Sequence, residues 1–140
     1  MTEKRDTENN ITITPKAGTH SGTMVFMHGL GDSADGWIDT IRQYAQMMPW
    51  IKFIVPTAPT RPITLNGGMP MQEWFDIASL SPEDADKMHG TDDTVKFISQ
   101  IIDDEVAAGV SRERIVLGGF SQGAAMSLRA GLMRSADECI

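Results

Sequence analysis

Gly119-Phe120-Ser121-Gln122-Gly123 sets one serine between two glycines, each two residues away from it. A serine hydroxyl is a weak nucleophile. It becomes a catalyst only where the backbone exposes it and fixed dipoles await the negative charge that its attack creates. The flanking residues suggest such a place. "RIVLGGF" from Arg114 is a short apolar run with the character of a strand, and Ala124, Ala125, Met126 and Leu128 are helix formers. A strand that turns this sharply into a helix forces the residue at the turn into strained backbone, and the glycines remove side chains that would collide. The hydroxyl then stands at a helix N-terminus, with the backbone N–H of Gln122 aimed at the developing oxyanion. A serine that only capped a helix would need no glycine on both sides. The five-residue pattern alone is a weak signal; its strand, turn and helix setting gives it weight.

"MVFMHGLGDSADGW", from Met24, places His28 and Gly29 at the end of another apolar run, followed by Leu30, Gly31 and Asp32. Such a turn can supply the second oxyanion donor through the Leu30 backbone amide, leaving the Leu30 side chain to line a substrate groove. His28 could act as a base, but in a turn of this type it is expected to hold the loop. His20 and His89 are the other histidines, and no two of the three have metal-ligand spacing. His89 reads as a polar loop residue before a helix. After Ser121 the only acids are Asp137 and Glu138, and there is no histidine. A nucleophile–base–acid triad that runs serine, acid, histidine, one of several chain orders such triads take, is therefore incomplete. Asp103, Asp104 and Glu105 resemble a carboxylate cluster, but adjacent helical residues do not share a face, and a solvated surface is expected.

These groups must be positioned by strands and helices. "TMVFMHG" from Thr23, "IKFIVP" from Ile51 and the Arg114 run are nearly continuous in apolar residues, as in strands covered on both faces. "ITIT" from Ile11 alternates and is predicted to be an edge strand, while residues 1–10 are predicted to be a loose polar tail. Trp37, Ile38, Ile41, Ala45 and Met48 recur at helical spacing until Pro49 stops them, and Val95, Ile98, Ile102 and Val106 form a second helical face ending at Gly109. Strands alternating with helices imply an α/β fold with a mostly parallel sheet and helices on both faces. The segment from Pro56 to Gly90 breaks this alternation. It is too long and too rich in Pro, Gly and Met for a simple connector, so it is either functional or a wandering surface loop.

The 140 residues suffice for one domain with one core. Hydrophobic residues at 41% and charged residues at 22% fit a globular protein, and no apolar run reaches the 18 or so residues of a membrane span. The polar start is not a secretory signal, no lipidation motif is present, and no stable membrane anchor is expected. Cys139 has no second cysteine to pair with, which suits a reducing, cytoplasmic setting. A net charge of −7 argues against nucleic acid as a partner. No cofactor or metal is implied.

"FMHGLGDSADGW", "FIVPTAPTRPITLNGGMPMQEWFDI" and "RIVLGGFSQGAAMSL" together, in this order, resemble the acyl-protein thioesterase, lysophospholipase and carboxylesterase family of small α/β hydrolases. The resemblance runs from about Thr23 to Leu132. It implies an α/β-hydrolase fold, a cytosolic serine hydrolase, and acylated proteins, lysophospholipids or small acyl esters as substrates. By the same resemblance Ser121 is the nucleophile, the Leu30 and Gln122 amides form the oxyanion hole, and the loop with Trp74, Phe75 and Asp76 walls the acyl site. Residues 11–140 are expected to be the N-terminal portion of one such domain, with its C-terminal strands and helices missing from this chain. The alternative is a non-catalytic or truncated form, and the 140 residues alone are expected to be nearly inactive.

Overall fold

The three apolar runs lie side by side. The computed structural model describes residues 1–17, 20–84 and 88–137. In chain order β1 (Thr2–Arg5), β2 (Ile11–Thr14) and β3 (Gly22–Met27) lead into α1 (Ile38–Met47) and β4 (Ile51–Val55). Two small hairpins follow, β5 (Thr60–Ile63) with β6 (Met69–Gln72) and β7 (Asp76–Ile77) with β8 (Met88–His89). The chain then forms α2 (Thr91–Ala107), β9 (Ile115–Gly119) and α3 (Gln122–Asp137). The main sheet has the order β1-β2-β4-β3-β9, with β3 parallel to both β4 and β9.

The sheet is mixed rather than mostly parallel, because β1 and β2 add to it in antiparallel sense. Residues 1–10, predicted as a loose tail, contribute β1 and its turn. Their composition explains the turn: the Asp6 carboxylate accepts the backbone N–H groups of Glu8 and Asn10, each at 2.9 Å, and Asn9 takes the left-handed conformation at φ 64. β1 is exposed throughout and adds ion pairs from Glu3 to Arg42 at 2.8 Å and from Arg5 to Asp35 at 2.7 Å. "ITIT" is thus the second strand rather than the edge.

Alternation along the strands builds two cores. Ile11, Ile13, Phe53 and Val55 point to one face with Met24 and Phe26, and α1 covers them with Ile38, Ile41 and Ala45. Met27, Ile115 and Leu117 point to the other, under α2 and α3 with Ile98, Ile102, Met126 and Ala130. Helices therefore cover both faces, as predicted.

The buried stripe of α2 is Thr91, Thr94, Ile98, Ile102 and Glu105, a helical spacing that includes three polar residues. Glu105 is therefore not part of a solvated acidic face. Its carboxylate accepts the Thr23 hydroxyl at 2.6 Å and pairs with Lys52, which satisfies a buried charge that would otherwise be costly. Asp104 behaves as expected, on the surface with Gln100 at 2.8 Å.

The described part of the 35-residue connection is shaped by turns within it. Gly67 and Gly68, at φ 65 and 82, close the β5–β6 hairpin after Asn66. The Asp76 carboxylate then accepts the Thr64 backbone N–H at 2.8 Å and its hydroxyl at 2.6 Å, tying the two hairpins together. That hydroxyl bond is the largest reason why the Asp76 carboxyl lies below its ordinary pKa.

Candidate active site

Ser121 stands where β9 ends and α3 begins, exposed, with φ 51. Left-handed backbone is disfavoured for a residue with a Cβ, so this conformation is imposed by what surrounds it. The Phe120 N–H donates to the Met27 carbonyl at 3.0 Å, fastening the turn to the end of β3, and the Ala125 N–H donates to the Ser121 carbonyl at 3.1 Å as the helix starts. The flanking glycines are required by space. A Cβ on Gly119 would lie 2.7 Å from the Met27 carbonyl oxygen, and one on Gly123 would lie 2.5 Å from that of His28. Phe120, 57% exposed, leans on Trp37 with ring centroids 5.4 Å apart.

The turn after β3 comes directly against this elbow. A Cβ on Gly29 would sit 3.5 Å from the Ser121 Cβ, in ordinary contact, and 3.2 Å from the Phe120 ring, close enough that the ring would have to shift slightly. Gly31, at φ 74, donates its N–H to the Gln72 carbonyl at 2.8 Å. Among the described residues the backbone N–H groups of Leu30 and Gln122 have no acceptor, and the Ser121 hydroxyl has no partner. The unengaged Gln122 amide follows an exposed hydroxyl at a helix N-terminus, and the unengaged Leu30 amide belongs to the turn whose Gly29 lies against that residue. That arrangement can receive a negatively charged oxygen.

His28 is fully buried and holds the loop. The Ala58 N–H donates to its Nε2 at 2.9 Å, so Nε2 carries no proton, and Nδ1 donates the ring proton to the Gly29 carbonyl at 2.6 Å. Burial depresses the His28 pKa, with the Gly29 bond and the Asp32 charge opposing. The ring is a fixed neutral imidazole with both nitrogens engaged, so it is not a base for Ser121. His20 lies at the other end of the sheet, with Nε2 3.1 Å from the Thr23 hydroxyl. The six residues of β3 put it about 20 Å of strand from the elbow. His89 is exposed in β8 opposite Asp76, and no hydrogen bond joins it to Ser121. Asp137 is fifteen helical steps beyond Gln122 on α3, about 22 Å of helix away. Glu138 and Cys139 lie outside the described residues.

The aromatic pair of the long segment is buried. Trp74 is 1% exposed and Phe75 4%, so both rings sit in the core beneath the site. The Trp74 indole N–H donates to the His28 carbonyl at 2.8 Å, the Thr94 hydroxyl donates to the Trp74 carbonyl, and the indole stacks on Phe97 at 6.3 Å. A cavity of about 520 Å³ borders Trp74 and is lined also by Thr57, Arg61, Asp93 and Phe97, but not by Ser121 or Leu30.

The sequence did not reveal what the Gln122 side chain does. It is buried at 4% exposure, its Oε1 accepts the Trp74 backbone N–H at 2.7 Å, and its Nε2 donates to the Phe75 carbonyl at 2.7 Å. Glu73 is a second residue that the sequence did not single out. It is 2% exposed, Oε2 has no hydrogen-bond partner among the described residues, and burial and the nearby Asp76 charge push its pKa up. No cluster of metal-ligating side chains occurs among the described residues.

Residues 8–137 match the model of the phospholipase/carboxylesterase family. The chain is 44% identical over 128 residues to acyl-protein thioesterase 1 of Gibberella zeae, a match covering 86% of this chain and 54% of the relative. It is 43% identical over 121 residues to acyl-protein thioesterase 1 homolog 1 of Dictyostelium discoideum, covering 85% and 54%. The crystal structure of Zea mays acyl-protein thioesterase 2 superposes with a TM-score of 0.73 at 36% identity, covering 87% of this chain and 50% of that one. The chain thus spans about half the length of the curated relatives that it matches.

Proposed function

The chain belongs to the phospholipase/carboxylesterase family of α/β hydrolases, and from that premise we propose that it carries the nucleophile and oxyanion hole of a serine hydrolase for acyl thioesters or esters. The supporting observation is the strained, exposed Ser121 beside two unengaged amides. In the proposed reaction Ser121 Oγ attacks the acyl carbonyl as its proton passes to a base, and the carbonyl oxygen becomes an oxyanion held by the Leu30 and Gln122 amides. The thiol or alcohol leaves protonated. Water then attacks the acyl-serine, releases the carboxylic acid and restores the hydroxyl.

The relatives are named acyl-protein thioesterases, which favours acylated proteins as substrates. Lysophospholipids and small acyl esters share the same acyl-serine chemistry, and the groove beside Leu30 would set the chain length. Trp74 and Phe75, with their loop, are proposed to help wall the acyl site. A cytoplasmic location is proposed; among the described residues no helix is long and apolar enough to cross a membrane. Nucleic acid is not a proposed partner of a chain with net charge −7.

A second reading, a non-catalytic form, is favoured by one observation: none of the described histidines is hydrogen-bonded to Ser121. The two readings are tested together. A fluorophosphonate probe followed by peptide mass spectrometry should label Ser121 slowly, and Ser121→Ala should abolish the label. Undiminished labelling of the variant would overturn the nucleophile assignment. Turnover of a short nitrophenyl ester and an acyl thioester by the 140 residues should stay near the roughly 10³ to 10⁴ over water that an oxyanion hole and binding give without a working triad. Fast turnover lost in His89→Ala would mean that His89 is the base after all.

A further inference from the structure

The two amides of the proposed oxyanion hole come from segments about ninety residues apart in sequence, and catalysis requires their spacing to be held to a fraction of an ångström. The Gln122 amide is placed rigidly by the elbow itself. The Leu30 amide belongs to a tight turn held partly from within, by the Asp32 N–H on the Gly29 carbonyl at 3.3 Å. From outside, the backbone bond that reaches this turn is the Gly31 N–H to the Gln72 carbonyl at 2.8 Å. Two residues beyond Gln72, the chain is gripped by the Gln122 side chain at Trp74 N and Phe75 O, both at 2.7 Å.

We infer that the Gln122 side chain is a positioning residue that sets the oxyanion hole, coupling the elbow through residues 72–75 to the Leu30 turn. One residue then supplies a donor of the hole with its backbone and fixes the other donor with its side chain. The chemistry of the amide suits this task. Gln122 is buried, and its carbonyl and NH2 each meet one backbone group of consecutive residues, so a side chain with both a donor and an acceptor at this length is needed. Alanine leaves two buried backbone groups unpaired. Glutamate keeps the length, but when ionised it has no donor for the Phe75 carbonyl and presses negative charge on it. Protonated, its O–H donates to Phe75 while its carbonyl accepts from Trp74, which restores the original pattern.

This inference rests on the proposed function, and the test separates the two. Amide hydrogen exchange, followed by NMR in the 140-residue chain, gives protection factors for Trp74, Gly31 and, as a reference, Phe53 in β4. Gln122→Ala should lower protection at least tenfold at both Trp74 and Gly31 while Phe53 keeps its relative order. Gln122→Glu should match it at about pH 7 and recover toward wild type at about pH 4, where a glutamic acid with an ordinary pKa near 4.3 is largely protonated. The rate of fluorophosphonate labelling at Ser121 should fall in step with Gly31 protection. If Trp74 loses protection while Gly31 and the labelling rate are unchanged, the side chain is only a local brace and the inference is wrong. If Ser121→Ala labels as well as wild type, the proposed function fails whatever Gly31 does. Should Gln122→Ala not fold, the pH comparison within Gln122→Glu decides: recovery at Gly31 on acidification supports the coupling, and its absence overturns it.

Discussion

The φ of 51 at Ser121 can be converted into a measurable stability difference. Left-handed backbone costs a residue with a Cβ roughly 1 to 2 kcal/mol, and glycine relieves that cost. Glycine also brings back about 0.5 to 1 kcal/mol of chain entropy on unfolding, which works against it. Alanine at the same place keeps the strain. Because Ser121 is exposed and its hydroxyl is unpaired among the described residues, either substitution removes no compensating bond. Ser121→Gly should therefore exceed Ser121→Ala in stability by about 1 kcal/mol. For a chain of 140 residues that is about 4 °C in thermal midpoint. Urea unfolding followed by circular dichroism would read the same gap as a shift in midpoint at constant slope. Both variants should be equally dead to a serine-directed probe, so the stability gained comes from the place where the nucleophile is held. An alanine variant more stable than the glycine variant by about 0.5 to 1 kcal/mol, the entropy difference alone, would show that the elbow is unstrained and that the placement of Ser121 needs another explanation.

Three further outcomes are expected. His28 has a pKa below its ordinary 6.5 in the folded state, so the unfolded chain binds more protons as pH falls below 6.5; its contribution to stability is present above that pH and is lost below it. An NMR titration in which the His28 ring protonates at or above 6.5 would contradict the locked tautomer. Glu73 has a pKa above its ordinary 4.5, so the cost of its buried charge is absent below 4.5 and grows as pH rises through the folded value. Glu73→Gln should be more stable than wild type near neutral pH and indistinguishable from it in acid by denaturant midpoint; a destabilised variant at neutral pH would count against this. Val116 is 57% exposed on β9, whose outer edge has no partner strand among the described residues, so the chain should self-associate and Val116→Lys should lessen it in sedimentation. A wild type that sediments as a monomer over a wide concentration range would remove the basis for that expectation.

Short-range chemistry was legible in the sequence. The strand, glycine, serine, glycine, helix order around Ser121 and the His-Gly turn after β3 depend on neighbours a few residues away, and so do the three apolar strands and the helical stripe from Ile38 to Ala45. In the long connection, Asn66-Gly67-Gly68 was a turn signal of the same kind. Asp6 and Asn9 likewise carried a local turn signal, which the polarity of residues 1–10 hid. Only the tertiary structure decided the rest, because those roles depend on partners far along the chain. Glu105 is buried because Thr23, 82 residues away, and Lys52 meet it on the sheet. The tautomer of His28 is set by an amide 30 residues on, and the task of the Gln122 side chain by backbone 48 residues back. Helical spacing placed Glu105 next to two acids without telling which way it faced, and the pattern around Ser121 specified a backbone donor at Gln122 without specifying its side chain. Residue type told which groups could react; burial and distant hydrogen bonds determined which were held ready and which were locked away.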